Sequence, residues 1–134
     1  PAIPIVERQS PKQTSKNKAL NEAFMDRIRE VVENNISNTD FRVEDLCKAL
    51  RMSHSKLHRK TVTASGMTPQ QVIRQMRLDY ATEQLNNPQL NINEIALQAG
   101  FEDPGYFTRV FKREKGLTPT EWRDEYGSSD KDFY

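Results

Sequence analysis

The chain has 134 residues, a formal net charge of +1 and a single cysteine, and 29% of its residues are charged. This length allows one modest domain or two very small units, and a lone Cys47 excludes an internal disulfide bond. Because no apolar run is long enough to span a membrane and no signal-peptide pattern opens the chain, we expect a cytoplasmic protein.

Residues 1–16 are polar, contain three prolines and show no hydrophobic period. This composition predicts a flexible linker or tail. From about Asn17 to Asn35, apolar residues recur at helical spacing and predict an amphipathic helix that needs a core to pack against. The predicted apolar face consists of Leu20, Phe24, Ile28, Val31 and Val32.

Two short helices are predicted next, over Val43–Leu50 and from Ser53 to about Ala64, and they complete a first unit at residues 17–66. Cys47 lies on the apolar side of the first of these helices and is predicted to be a core thiol. Between residues 41 and 66 there are six basic and two acidic residues. Such a local excess of positive charge fits a phosphate-contacting surface, and a solvated helix face is the alternative.

A longer helix is predicted over residues 69–86, capped by Thr68 with Pro69 at its first position and Gln71 two residues later. Eighteen residues make a rod of roughly 27 Å. Successive major grooves on one face of DNA lie roughly 34 Å apart. A stiff connector of this length could therefore present a small unit at each end to the same face of a duplex.

The second unit spans residues 91–126, and Gly100 supplies the left-handed residue that ends its first helix. Three helix starts are marked by caps: Asn91 with Glu94, Asp103 followed by Pro104, and Thr118 with Pro119 and Glu121. Residues 127–134 are polar and acidic and are predicted to form a mobile tail.

The two units are copies of one pattern. Leu57 aligns with Phe107, and the Gly-Met-Thr-Pro run at 66–69 aligns with Gly-Leu-Thr-Pro at 116–119, both at an offset of 50 residues. In each copy two short helices flank a turn, which is typical of a helix-turn-helix whose second helix enters a DNA major groove. We therefore predict an all-α fold of about seven helices, with two helix-turn-helix units within residues 17–126.

The second unit closely resembles the C-terminal signature of AraC/XylS-type transcription regulators. The matching residues are Ile95-Ala96, Gly100-Phe101, the run YFTRVFK at 106–112 and the run GLTP at 116–119. The resemblance implies a homeodomain-like domain that binds double-stranded promoter DNA, with RNA polymerase as a further candidate partner. An isolated module of this kind is expected to bind as a monomer.

A subgroup resemblance is carried by residues 57–61, by Val72-Ile73 and by Arg77-Leu78. These residues look like those of the DNA-binding ends of Bacteroides-type hybrid two-component regulators. In that group a receiver domain and a membrane sensor precede the module and often control carbohydrate-use genes. The resemblance implies that the chain is the output module of such a phosphorelay protein, in the cytoplasmic portion of a membrane-anchored regulator.

Candidate DNA contacts in the first unit lie on the outward face of its second helix, because Leu57 is predicted to face inward. The resemblance assigns Ser55, His58 and Arg59 to base contact. Arg59 suits a guanine, since its guanidinium offers two donors to O6 and N7. The predicted phosphate contacts on this side are Lys56 and Lys60, with Thr68 at the start of the following helix.

In the second unit Phe107 and Phe111 are predicted to face inward. The resemblance places Gly105, Thr108 and Arg109 at base-facing positions, with Arg109 at a position that the family uses for base contact. Phosphate contacts fix the register of a protein on DNA without reading its sequence. The predicted phosphate contacts here are Lys112, Arg113 and Thr118.

Three positions depart from the family pattern. Gly105 stands where a polar side chain is usual, so this half has one fewer potential base contact. Arg51 replaces the turn glycine of the first unit and carries strain of about 1 kcal/mol if its backbone is left-handed. Thr61 stands where many relatives have an aromatic residue.

Other classes of function find less support in the sequence. There is no Gly-rich phosphate loop and no Ser-His-Asp order, so an enzyme is not expected. His54 and His58 have no partner ligands at metal spacing, and we expect no metal, cofactor or small-molecule site. The alternative that remains is a helical protein-interaction domain that uses the helix from Leu20 to Val32 and does not bind DNA.

Overall fold

The computed structural model describes the backbone of residues 11–127 and the side chains of residues 15–127. Within this range the fold is all-α, as predicted. The helices are α1 (Pro11–Asn34), α2 (Val43–Leu50), α3 (His54–Ser65), α4 (Pro69–Gln84), α5 (Ile92–Gln98), α6 (Pro104–Lys115) and α7 (Pro119–Tyr126). The flexibility predicted for residues 1–10 and 128–134 concerns parts of the chain outside the described residues. None of the described helices is both long and apolar enough to cross a membrane.

Helix α1 begins at Pro11, six residues before the predicted start near Asn17. The assignment of residues 11–16 to a flexible linker was therefore wrong. Proline is compatible with the first position of a helix, because the N–H that it lacks would have no intrahelical acceptor there.

The core face of α1 is also shorter than predicted. Leu20 is 59% exposed, so its assignment to that face was wrong, whereas Phe24, Ile28 and Val32 are buried as expected. All side chains from residue 15 to residue 20 are exposed. The first turns of α1 therefore extend beyond the helices on which the rest of α1 packs.

The predicted capping boxes are present. The Glu94 N–H donates to Asn91 Oδ1 at 2.8 Å, and the Asn91 N–H donates to Glu94 Oε1 at 2.9 Å. The same reciprocal bonds form at the starts of α4 and α7, between Thr68 and Gln71 and between Thr118 and Glu121. Each box supplies side-chain acceptors for two backbone N–H groups at the start of a helix, and this fixes where α4, α5 and α7 begin.

Each unit has its own hydrophobic core, and α4 contributes to both. In the first core, Val72 and Ile73 of α4 pack with Phe24, Met25, Ile28, Val32, Phe41, Leu46, Cys47, Leu50 and Leu57. In the second core, Leu78, Ala81 and Leu85 pack with Ile95, Ala96, Ala99, Phe101, Phe107, Val110 and Phe111. Helix α4 has 16 residues, two fewer than predicted, and is a rod of about 24 Å shared by the two units.

Cys47 is 7% exposed, which confirms the prediction of a core thiol. Its burial raises the pKa of the thiol, because the charged thiolate is poorly solvated there. A thiol held in its neutral form is a poor nucleophile. Cys47 therefore packs in the first core as a neutral thiol.

The backbone of the turn between α2 and α3 is left-handed at Arg51, which is the condition for the strain expected there. Arg51 has φ 56°, and it is the single non-glycine residue with positive φ in the described part of the chain. A left-handed backbone at a residue with a Cβ costs about 1–2 kcal/mol. The first helix-turn-helix therefore forms despite a local strain that the second, with Gly100 in its turn, avoids.

Thr61 on α3 is fully buried, and its hydroxyl oxygen has no hydrogen-bond partner among the described residues. An unsatisfied buried hydroxyl costs about 1–3 kcal/mol. We expect Thr61→Val, which replaces the hydroxyl by a methyl group, to raise the free energy of unfolding by an amount in that range.

Urea denaturation of the purified chain measures this change. Thr63→Val is the matched control, because Thr63 lies on the same helix and is exposed; it should shift the free energy of unfolding by less than about 0.5 kcal/mol. A loss of stability in Thr61→Val would show that the hydroxyl is hydrogen-bonded in solution.

Candidate nucleic-acid interface

Helix α3 presents a polar face to solvent and an apolar face to the first core. Ser53 caps the helix by accepting the Lys56 N–H at 3.2 Å. Leu57 and Thr61, one turn apart, are fully buried, which confirms that Leu57 faces inward. The five residues predicted to face outward are all exposed: Ser55, Lys56, His58, Arg59 and Lys60.

Two of the predicted base contacts on α3 lie directly opposite its buried side. Successive residues turn by about 100° around a helix, so Ser55 and Arg59 lie farthest from Leu57, and His58 lies to one side. Val62 shares the face of Ser55 and Arg59 and is 39% exposed. Val62 was not among the predicted DNA contacts. An apolar residue at an outward-facing position of a helix is the sequence feature that could have indicated it. A valine there could contact a thymine methyl group.

Helix α6 repeats this geometry. Phe107, Val110 and Phe111 are buried, which confirms the two predicted inward aromatics. Gly105 and Arg109 are exposed and lie opposite this buried side, at the positions that correspond to Ser55 and Arg59 in α3.

Thr108 is half-buried and lies to the side of α6, as His58 does on α3. Thr108 is thus less exposed than Arg109. Arg109 is therefore the side chain of α6 best placed to reach a base edge.

A side chain at residue 105 would be close to the cap of α6 but would not displace Arg109. A Cβ at residue 105 would lie 3.6 Å from Nη1 of Arg109 and 3.3 Å from Oδ1 of Asp103. The Asp103 carboxylate is already used as the cap of α6, where it accepts the Gly105 N–H at 2.9 Å. The tighter of the two contacts is therefore with the cap, and an alanine at residue 105 would touch the Arg109 guanidinium at an ordinary contact distance.

Neither outward arginine has a carboxylate partner among the residues that the structure describes. No ion pair within 4.0 Å involves Arg59 or Arg109 among the residues that the structure describes. A guanidinium exposed and unpaired keeps all five N–H donors for a ligand. The two side chains are therefore free for bidentate recognition of a guanine edge.

The basic residues predicted to contact phosphates differ in their surroundings. Lys56 and Lys112 are exposed. Lys60 extends towards α1, where its ammonium lies 4.9 Å from the centroid of the Phe24 ring. Arg113 pairs with the neighbouring Glu114 at 3.5 Å. Lys56 and Lys112 are thus the basic residues of this set most available to an anion.

Most hydrogen-bonding groups of the two threonine caps are used within their own helix starts. Thr68 and Thr118 each accept one backbone N–H through the hydroxyl and donate their own N–H to a side chain. Each hydroxyl proton remains as a donor for phosphate. The hydrogen bonds from Thr118 lower the pKa of Glu121, and the positive charge of Lys112 acts in the same direction.

Residues 46–125 match a family model described as a helix-turn-helix domain. The HTH-type transcriptional activator RhaR of Enterobacter sp. (strain 638) is 35% identical over 102 residues, which cover 76% of this chain and 36% of that protein. RhaR of Salmonella schwarzengrund (strain CVM19633) is 35% identical over 109 residues, covering 81% of this chain and 38% of that protein. The chain therefore spans less than two fifths of the length of these curated relatives.

Solved structures have the same fold. The C-terminal domain of the two-component response regulator yesN from Fusobacterium nucleatum superposes with a TM-score of 0.67 at 30% identity, covering 72% of this chain and 93% of that one. The C-terminal domain of AraT, a response regulator from Geobacillus stearothermophilus, gives a TM-score of 0.70 at 27% identity and covers 75% and 84%.

Proposed function

The chain belongs to the AraC/XylS-type family of helix-turn-helix, DNA-binding transcription regulators, and we propose that it reads two successive major grooves of promoter DNA. In this proposal α3 enters one groove and α6 enters the next, and a single copy of the chain makes both contacts. The observation that carries the proposal is the pair Arg59 and Arg109, which are exposed, have no ion-pair partner in the described part of the chain and lie at corresponding positions of the two units.

The assignment of contacts follows from these surroundings. Arg59 and Arg109 read base edges, with Ser55, His58 and Thr108 beside them and Gly105 at the base-facing position next to Arg109. Phosphates on either side of each groove are held by lysines and by helix starts, which set the register. The proposed phosphate contacts are Lys56, Lys60, Thr68, Lys112, Arg113 and Thr118.

We also propose that the chain is the output module of a longer regulator. The support is that the chain spans less than two fifths of its curated relatives and that two structures of the same fold are C-terminal domains of response regulators. In this proposal the missing segments receive the signal, by phosphorelay in a hybrid two-component protein, and supply any dimer contacts. The module works in the cytoplasm, and activation proceeds through contact with RNA polymerase.

Selection from a pool of random duplexes, followed by anisotropy titration of the enriched sequence, tests DNA reading. The proposal expects affinity for the enriched duplex to exceed that for a scrambled one by about 10³-fold or more, and binding to weaken steeply with salt. Absence of salt-sensitive binding to every duplex would instead favour a protein-interaction domain.

Lys112→Ala should weaken binding to the enriched and the scrambled duplex by the same factor, because a phosphate contact carries no sequence information. The slope of log K against log salt should become less steep by about 0.9, the value for one phosphate contact on duplex DNA. Lys18→Ala is the control, since Lys18 is an exposed lysine on α1, and it should leave the slope unchanged. A loss confined to the enriched duplex would show that Lys112 reads a base.

A further inference from the structure

Arg77 is a buried charged residue at the junction of the two units. It lies on α4 between the last residue that packs in the first core and the first that packs in the second, and its side chain is 8% exposed. Its guanidinium donates from Nη2 to the carbonyl oxygens of Asn38 at 3.0 Å and Phe41 at 3.2 Å, both in the first unit. From Nη1 it donates to the carbonyl oxygen of Gly100, in the turn of the second unit.

The surroundings of Arg77 oppose its charge. Burial lowers the pKa of the guanidinium, and the nearby positive charge of Arg42 lowers it further. Its Nε is buried and has no hydrogen-bond partner in the described part of the chain. Hydrophobic packing alone would be better served by an apolar side chain here. What the guanidinium provides instead is three hydrogen bonds to carbonyl oxygens, which join segments that are far apart in the sequence.

Other contacts bring the same two segments together. The Ser37 hydroxyl donates to the Gln98 carbonyl oxygen at 2.6 Å. A Cβ on Gly100, which has φ +89°, would lie 2.4 Å from the Ile36 carbonyl oxygen and 2.7 Å from Cζ of Arg77. The loop before α2 and the turn between α5 and α6 are therefore in direct contact, with the Arg77 guanidinium between them.

We propose that Arg77 is a positioning residue that holds the two recognition helices in one relative orientation and so sets the half-site spacing that the chain accepts. The inference rests on the proposed function, since it assumes that both α3 and α6 read DNA. It adds the contact that holds the two helix-turn-helix units in a fixed relative orientation. The shared helix α4 alone does not ensure that orientation. Val72 and Ile73 pack in the first core and Leu78 and Ala81 in the second, so the middle of α4, between these two sets of contacts, is where the relative orientation of the units would otherwise change.

A change of one base pair shifts the second half-site by about 3.4 Å along the duplex and turns it by about 35° around the axis, so the units have to shift and turn relative to each other to follow it. Over a lever of about 20 Å, the length of a helix of about 13 residues, a turn of about 10° moves the far end by about 3.5 Å. That displacement matches the shift, and the turn of the half-site requires a further movement that the Arg77 bonds also oppose. Loss of the Arg77 bonds should therefore let the units accept sites one base pair closer or farther apart.

Binding of Arg77→Met to a series of duplexes tests the proposal. Methionine keeps an unbranched apolar stem and removes all five donors. The series contains the enriched site, the same site with one base pair inserted or removed between its halves, and a duplex with one intact half-site. Wild-type chain should bind the altered spacings at least about tenfold more weakly, similar to the effect of one mismatched base pair.

Arg77→Met should bind all three spacings within about threefold of one another, while its affinity for the single half-site stays as in the wild type. Titrations are made well below the melting temperature of each variant, so that both chains are folded and a difference between duplexes does not come from a loss of stability. A folded Arg77→Met chain that keeps the wild-type spacing preference would overturn the proposal.

A measurement without DNA separates this proposal from the proposed function. Spin labels are attached through Thr63→Cys and Thr120→Cys, exposed positions in the first and second units, in a Cys47→Ala background. The distance distribution between the labels should be narrow with Arg77 present and broader with Arg77→Met.

Ser37→Ala removes the other bond across the junction at an exposed side chain, so it should fold even if Arg77→Met does not. It should broaden the distribution to a smaller extent. Equal widths in all the folded variants would contradict the role assigned to Arg77, whatever the chain binds. Failure of wild-type chain to bind any duplex, with a distribution that does broaden, would contradict the proposed function alone.

Discussion

Arg59→Ala and Arg109→Ala are each expected to weaken binding to the enriched duplex by about 1–3 kcal/mol, the contribution of a good bidentate contact with a guanine. Each should also relax discrimination at the base pair that it reads and leave the other half-site unaffected. The physical reason is that each guanidinium is exposed, lies opposite the buried side of its helix and has no carboxylate partner in the described residues.

Anisotropy titration against the enriched duplex and its single-base variants provides the measurement. Arg27→Ala is the matched control, because Arg27 is an exposed arginine on α1 and its loss should not change discrimination. The double variant should show nearly additive losses, since the two sites share no contacts. Equal losses on enriched and scrambled duplexes would mean that these arginines contact phosphates.

Gly100→Ala is expected to cause a large loss of stability, of about 3 kcal/mol or more. The left-handed backbone at φ +89° alone costs an alanine about 1–2 kcal/mol. The added Cβ would also lie 2.4 Å from the Ile36 carbonyl oxygen, so the backbone at the junction of the two units would have to move.

Gly116→Ala separates these two causes. Gly116 has φ +85°, and a Cβ there would meet nothing within 4 Å, so only the backbone term of about 1–2 kcal/mol applies. Urea denaturation of both variants gives the comparison. Equal losses of unfolding free energy in the two variants would show that the backbone at the junction moves at little cost and that the units are not held tightly together there.

Features determined by nearby residues were predictable from the sequence. Each capping box depends on two residues three positions apart, and those at Thr68, Asn91 and Thr118 are confirmed. The inward positions of Leu57 and Phe107 are confirmed as well, because helical periodicity alone fixes which residues share a face. The exposure of the outward arginines follows from the same periodicity.

Features determined by distant residues were not predictable. Arg77 lies on a helix whose charged residues would ordinarily face water, and its acceptors are 23 to 39 residues away along the chain. Leu20 continues the apolar period of α1, yet nothing in that period shows where the other helices end. The contacts of each candidate residue with DNA also stay predictions, because they depend on a partner of unknown sequence.

The central claim is that one chain reads two successive major grooves. Methylation protection of guanine N7 tests it most directly, with one chain bound per enriched duplex. Two clusters of protected guanines are expected in the major groove, about 10–10.5 base pairs apart on one face of the helix. Arg59→Ala should remove protection within one cluster and Arg109→Ala within the other. A single protected cluster, or two clusters that appear only when two chains are bound, would contradict the claim that one chain reads both grooves.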